Sequence, residues 1–254
     1  MSEGLIVRTF AGKHLLGETA AEDSARLMSQ AIHARGKARV IFSAANSQLE
    51  MIAALTARPD IDWAAVEVFH VDEYVGVPDT HPASFRRWVR ENIAGRVQPG
   101  RIHYLAGDAP DIAAECSRYS ALLAAAPIDI AFLGFGENGH IGFNDPHEAD
   151  FHDPHPVRTV TLDERCRLQQ VGEGHFPSLD AVPALGLTLT CPTLVNVSHI
   201  ICCVPDLRKA EAVRNALEGP ISTQCPGSIL RTHADARLYL DRESASLLAA
   251  RLTC

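Results

Sequence analysis

Ile112-Ala113-Ala114-Glu115-Cys116-Ser117-Arg118-Tyr119-Ser120-Ala121-Leu122-Leu123-Ala124-Ala125-Ala126-Pro127-Ile128-Asp129-Ile130-Ala131-Phe132-Leu133 carries two structural periods in one stretch. Its first part places Ile112, Cys116, Tyr119, Leu123 and Ala126 at four-three-four-three spacing, one apolar face of a helix. Its last part, Ile128 to Leu133, is an apolar run of strand length. The alternation continues outward. Upstream, Val40-Ile41-Phe42 and Val66-Glu67-Val68-Phe69 are strand candidates, and Leu27, Met28, Ala31 and Ile32 form a helical stripe. Downstream, Ile200-Ile201-Cys202-Cys203-Val204 is a further strand candidate, followed by a stripe of Ala210, Val213 and Leu217. Strand–helix–strand alternation predicts parallel βαβ units, hence an α/β fold: a doubly wound, mostly parallel, Rossmann-like sheet with helices on both faces. A chain of 254 residues suits one domain, 1–254, and no repeat, low-complexity tract or linker divides it.

Composition narrows the partners. A formal net charge of −8 argues against nucleic acid and anionic membranes, which reward basic surfaces. An anionic small molecule needs only a few local cations. The opening Met1-Ser2-Glu3 has an acid where a signal peptide wants lysine or arginine, and no window approaches the ~20 apolar residues of a membrane span. The seven cysteines are scattered, odd in number and without a CxxC pair, which is neither a disulfide framework nor a zinc site. A cytoplasmic protein with reduced thiols is expected.

Doubly wound sheets bind ligands beyond the carboxyl ends of their strands. That rule selects Ser43-Ala44-Ala45-Asn46-Ser47, Val71-Asp72-Glu73-Tyr74, and the loop Gly134 to Pro146. The last is rich in glycine, so its backbone adopts unusual dihedrals or approaches a ligand closely. Within it, His140 is the residue type suited to proton transfer at neutral pH, and Asp145 is near enough to hold one imidazole nitrogen. A turn with a merely hydrogen-bonded histidine is the plain alternative. Asp72, directly after a buried strand, is placed to be a base of raised pKa; capping a turn or pairing with an arginine is the alternative for Asp72 or Glu73. Ser43 to Ser47 sits where a strand–helix turn presents donors to an anion, and Arg208-Lys209 offers cations. His147, Glu148, Asp150, His152, Asp153 and His155 suggest a metal, but Pro146, Pro154 and Pro156 break any helix that would align the histidines, so no metal site is expected.

Two motifs carry a family resemblance. Phe69-His70-Val71-Asp72-Glu73-Tyr74-Val75-Gly76-Val77-Pro78, with His81-Pro82-Ala83-Ser84-Phe85, and Leu133-Gly134-Phe135-Gly136-Glu137-Asn138-Gly139-His140-Ile141-Gly142-Phe143-Asn144-Asp145-Pro146 resemble the glucosamine-6-phosphate deaminase/isomerase family, relatives of the 6-phosphogluconolactonases. Weaker matches continue through Val182-Pro183, Ala184 to Leu189 and Arg208-Lys209-Ala210. The resemblance implies that Asp72 is the enolisation base at C2 and that His140 opens the sugar ring. Asn138 and Asp145 match the positions that orient the histidine. Ser43, Asn46, Ser47 and Lys209 match phosphate contacts, and Gly139 falls among the substrate-binding positions. The implied partner is an amino-sugar phosphate, converted to a ketose phosphate and ammonia without cofactor or metal. A homo-oligomer is compatible with the family.

Four departures are visible. Asn138 stands where many members have aspartate, and Asp145 is one methylene shorter than the usual glutamate. Ala44-Ala45 replace a glycine pair, and Gln170 falls near the place of a phosphate-binding arginine, for which Arg165 and Arg167 are the nearby substitutes. The acid–base half of the site is intact and the phosphate half is altered. A sugar-lactone hydrolase and a non-catalytic sugar-phosphate-binding protein are the competing readings.

Overall fold

In the computed structural model, which describes residues 4–249, the chain runs β1 (Leu5–Phe10), α1 (Lys13–Arg35), β2 (Ala38–Phe42), α2 (Leu49–Thr56), β3 (Val66–His70), β4 (Asp72–Tyr74), α3 (Phe85–Val89), β5 (Arg101–Ile102), α4 (Ile112–Ala124), β6 (Ile130–Leu133), β7 (Val157–Thr161), α5 (Glu164–Gly172), β8 (Leu185–Leu189), α6 (Cys191–Val195), β9 (His199–Val204), α7 (Ala210–Glu218) and β10 (Ala236–Asp241). Seven strands form one sheet in the order β1-β10-β9-β6-β2-β3-β5, and every neighbouring pair is parallel.

The apolar strands are continuous because both faces of this sheet are covered. Ile130 and Phe132 of β6 join one buried cluster with residues of α1 and α2, whereas Ala131 and Leu133 join another with residues of α4, α6 and α7. The same two-residue alternation divides β9, where Ile201 and Cys203 face α1 and Ile200, Cys202 and Val204 face the opposite layer. Phe42 and Phe132 stack at 4.4 Å across the β2–β6 pair. This is the doubly wound, helix-flanked sheet that the alternation predicts. From β2 the chain winds outward through β3 to β5, then returns to β6 on the other side of β2. The β2–β6 boundary is therefore the topological switch point, the position at which such sheets open a crevice.

Local differences have local causes. The four-three-four-three stripe extends to Ala126, but α4 ends at Ala124, because the residue before Pro127 disfavours helical backbone. α4 and α5 start where Asp111 and Asp163 accept hydrogen bonds from Ala114 N and Cys166 N, as helix caps do. Val71 to Tyr74 is not simply a loop. Asp72–Tyr74 is a strand in a second, antiparallel sheet of order β4-β8-β7, which the alternation did not anticipate. Among the described residues, no helix is long and apolar enough to cross a membrane.

Candidate active site

Past the β2–β6 boundary lies a cleft of about 590 Å³, counting the space open to solvent. Ser43 to Ser47, Asp72, the 134–143 loop, the end of α5 and Arg208-Lys209 line it. All three stretches selected from the sequence thus meet in one place.

The glycine-rich loop folds around its histidine. Gly136 N donates to His140 O at 2.8 Å, and a Cβ at position 136 would overlap the His140 ring, so only glycine lets the imidazole lie across the turn. His140 Nδ1 is 2.7 Å from Asn138 Oδ1 and 3.1 Å from Asp145 Oδ1. Two acceptors on that nitrogen favour the Nδ1–H tautomer and leave Nε2 for a ligand. Asn138 Nδ2 in turn donates to Asp145 (2.9 Å) and to Asp163 (3.0 Å). Burial pushes the Asp145 carboxyl up, but the hydrogen bond and charge of His140, with the Asn138 amide, outweigh it and hold Asp145 below the usual carboxylate range. The shorter aspartate therefore still reaches the ring. Gly139 has φ +85, which turns the chain beside Cys225, and it is not among the residues lining the cleft.

Asp72 and Glu73 separate cleanly. Glu73 is fully buried and accepts hydrogen bonds from Ser84 Oγ (2.7 Å), Arg86 N (2.9 Å) and Phe85 N (3.1 Å), with Arg86 Nε at 3.4 Å. It fastens β4 to the start of α3, which is the structural alternative raised for this pair. Asp72 lines the cleft, and its carboxylate has no hydrogen-bond partner among the described residues. Burial, then the neighbouring Glu73 charge, raises the Asp72 carboxyl well above its ordinary range, which makes it a stronger proton acceptor once ionised.

The second sheet ties these two groups together. In the β4–β8 ladder Asp72 stands opposite Thr188. The buried Thr188 Oγ1 accepts from Phe143 N at 3.1 Å, and Asn144 Nδ2 donates to Leu189 O at 2.9 Å. One strand, β8, therefore supports both the Asp72 strand and the His140 loop.

The anion end is built differently from its motif. Ser43, Asn46 and Ser47 line the cleft as expected, at the mouth of a turn pinned by Gln48, whose Nε2 donates to Leu133 O (3.0 Å) and Cys203 O (3.2 Å). Lys209 lines it too, and burial lowers its ammonium to about 8 against the opposing charge of Glu173. Arg165 and Arg167 do not replace the missing arginine: Arg165 pairs with Glu211 at 3.8 Å, and Arg167 donates to Leu179 O and Val182 O at 2.7 and 2.9 Å. Arg208 is the arginine at the cleft, beside Lys209, 3.1 Å from Glu173 and 3.6 Å from Glu137. Gln169, Gln170, Glu173 and His175 also line it, and none of them was singled out as a ligand contact from the sequence. Gln170 was noted only as standing near the place of an arginine, and no local signal marks the other three: Gln169 lies in the last turn of α5, a short polar helix, and Glu173 and His175 follow it. Asp163 was missed as well, although an aspartate directly before a helix is a recognisable cap.

The acid- and histidine-rich stretch is tied down by Arg158, which pairs with Glu148 at 2.8 Å and Asp153 at 2.7 Å. His140, Asp145 and Cys166 have donor atoms within 4.8 Å of one another. Burial, however, pushes the Cys166 thiol well up, away from the thiolate a metal needs, and Nδ1 of His140 is already engaged. That trio is a hydrogen-bonded support.

A family model described as glucosamine-6-phosphate isomerases/6-phosphogluconolactonase matches residues 12–239. The glucosamine-6-phosphate deaminase of Pseudarthrobacter chlorophenolicus is 36% identical over 208 residues, covering 80% of this chain and 78% of that protein. Glucosamine-6-phosphate deaminase 1 of Bacillus subtilis is 36% identical over 191 residues, covering 74% and 77%. Among solved structures, a monomeric glucosamine-6-phosphate deaminase superposes with a TM-score of 0.86 at 30% identity, over 96% of this chain and 99% of its own. A 6-phosphogluconolactonase from Shewanella baltica superposes with a TM-score of 0.76 at 20% identity, over 95% and 99%, a likeness of fold.

Proposed function

The chain belongs to the glucosamine-6-phosphate isomerase/6-phosphogluconolactonase family, and from that membership we propose that it is a deaminase/isomerase converting glucosamine 6-phosphate to fructose 6-phosphate and ammonia. The observation that carries this reading is the pairing, in one cleft, of an unpartnered buried carboxylate with an imidazole fixed through its other nitrogen. Those are the two groups the reaction requires.

His140, through Nε2, moves a proton between the anomeric and ring oxygens and opens the pyranose. Asp72 then takes the C2 proton, leaving an enolamine. Protonation at C1 converts this to an iminium at C2, and water adds there and expels ammonium, leaving the ketone. Each step is a proton transfer or a hydration, so no redox cofactor enters. Asn138 and Asp145 act by holding the imidazole. Ser43, Asn46, Ser47 and Lys209, with Arg208, receive the phosphate end.

The decisive assay is ammonium release from glucosamine 6-phosphate, run beside its mannose and galactose epimers and free glucosamine. Release coupled to fructose 6-phosphate formation is expected for the first. Formation of neither product, with hydrolysis of 6-phosphogluconolactone instead, would refute the assignment.

A further inference from the structure

Glu173 stands at the end of the cleft assigned to phosphate, and it is already bonded to two of the groups placed there, Asn46 and Arg208. Its side chain is 7% exposed. Its carboxylate accepts from Asn46 Nδ2 at 3.1 Å and Gln169 Nε2 at 2.9 Å. Arg208 lies at 3.1 Å and His175 Nε2 at 3.5 Å. Lys209 is close enough for its charge to act on Glu173, yet it has no direct partner among the described residues. Burial pushes the Glu173 carboxyl up, but its bonds to His175 and Gln169 and the charges of Arg208 and Lys209 outweigh this and keep it below the usual range. It is therefore an anion at neutral pH.

A phosphate dianion arriving beside that carboxylate would meet a like charge in a half-buried cleft, where repulsion over a few ångströms is strong. The two anions also need the same donors. The backbone allows one to give way: Glu173 lies between Gly172, the last residue of α5, and Gly174, at φ +80, and neither glycine has a neighbour within 4 Å of where a Cβ would stand.

We infer that Glu173 is an internal stand-in for the substrate's phosphate, holding Asn46 and Arg208 so that a phosphorylated sugar binds only by displacing it. Glu173 is thereby a specificity-determining residue. A neutral C6 hydroxyl cannot match the carboxylate's hold on Arg208 and Asn46, whereas a dianion can. The inference rests on the amino-sugar-phosphate reading for the identity of the sugar, but the competition itself is between a carboxylate and any phosphate.

Inorganic phosphate is the probe, titrated calorimetrically into the wild-type protein, Glu173→Gln, Glu173→Ala, and Asp180→Asn, an exposed acid of the same segment that controls for net charge. Removing the Glu173 carboxylate is expected to tighten phosphate binding by roughly tenfold or more, while Asp180→Asn stays within about twofold. With glucosamine 6-phosphate, the Glu173→Gln gain should appear in KM rather than in kcat. In ¹⁵N-labelled wild-type protein, which needs no variant to fold, phosphate should shift the Gly172 and Gly174 amides. Phosphate binding no tighter in the folded Glu173 variants than in wild type, or glycine amides that ignore phosphate, would overturn the inference. Failure to release ammonium would remove the deaminase reading alone and leave the phosphate titrations to judge Glu173.

Discussion

Asp72 and Glu73 are neighbouring acids with opposite tasks, and the pleat of β4 is the reason. Successive side chains of a strand point to opposite faces. Glu73 turns toward the backbone amides at the start of α3, and Asp72 turns into the cleft. Asp72→Asn keeps the shape but removes the base. Deuterium exchange at C2 should fall by at least ~10³-fold with sugar binding largely retained, measured by NMR of substrate in D₂O. A mutant exchanging at near wild-type rate would contradict the role. Because burial raises the Asp72 carboxyl, wild-type kcat/KM should be present where Asp72 is ionised and should decline as pH falls through that raised pKa, above the range of an ordinary carboxylate. His140→Gln should slow closed-ring glucosamine 6-phosphate far more than an open-chain analogue in steady-state assays. Equal losses on both would show that the imidazole does not serve ring opening.

At the scale of elements, β8 is the strut. It pairs with β4 on one side and β7 on the other, and it receives the 134–146 loop through Thr188 and the Leu189 carbonyl. Thr188→Val preserves volume but strands the buried Phe143 N–H, a change worth about 1–3 kcal/mol. Melting temperature should drop, and kcat should drop with it as Asp72 and the His140 loop lose their common support. Thr188→Ser, which restores the acceptor, should recover kcat; a Ser variant no better than Val would show that the hydroxyl does not position the loop. Of the main-sheet strands, β2, β3, β6 and β9 were legible, as was α4, because each is written in a few consecutive residues of clear period; β1, β5 and β10 were not singled out. Nor were β7 and β8. They are as long as β2 and β3, but their pairing with Asp72–Tyr74 joins segments far apart along the chain, which local periodicity cannot report.

Across the whole molecule, the cleft is a meeting of several distant segments, so a ligand there should be felt by them at once. Binding of glucosamine 6-phosphate should slow hydrogen exchange together in 43–48, 134–145 and the 204–210 turn, followed by mass spectrometry. Protection confined to a single segment would mean that the cleft does not close on one molecule. The alternation of strands and helices, the strand-end loops and the candidate acid and histidine were foreshadowed in the chain, because periodicity, strand-end turns and a glycine-bound histidine are local properties; the strand order that puts the switch point between β2 and β6 was not. The tertiary structure alone decided which acid is free, that Gly139 takes a left-handed turn, and that Glu173 bonds Asn46 and Arg208 at one end of the cleft. Asn46 and Glu173 meet across 127 positions, and such a contact exists only once the sheet has brought the ends of separate strands together.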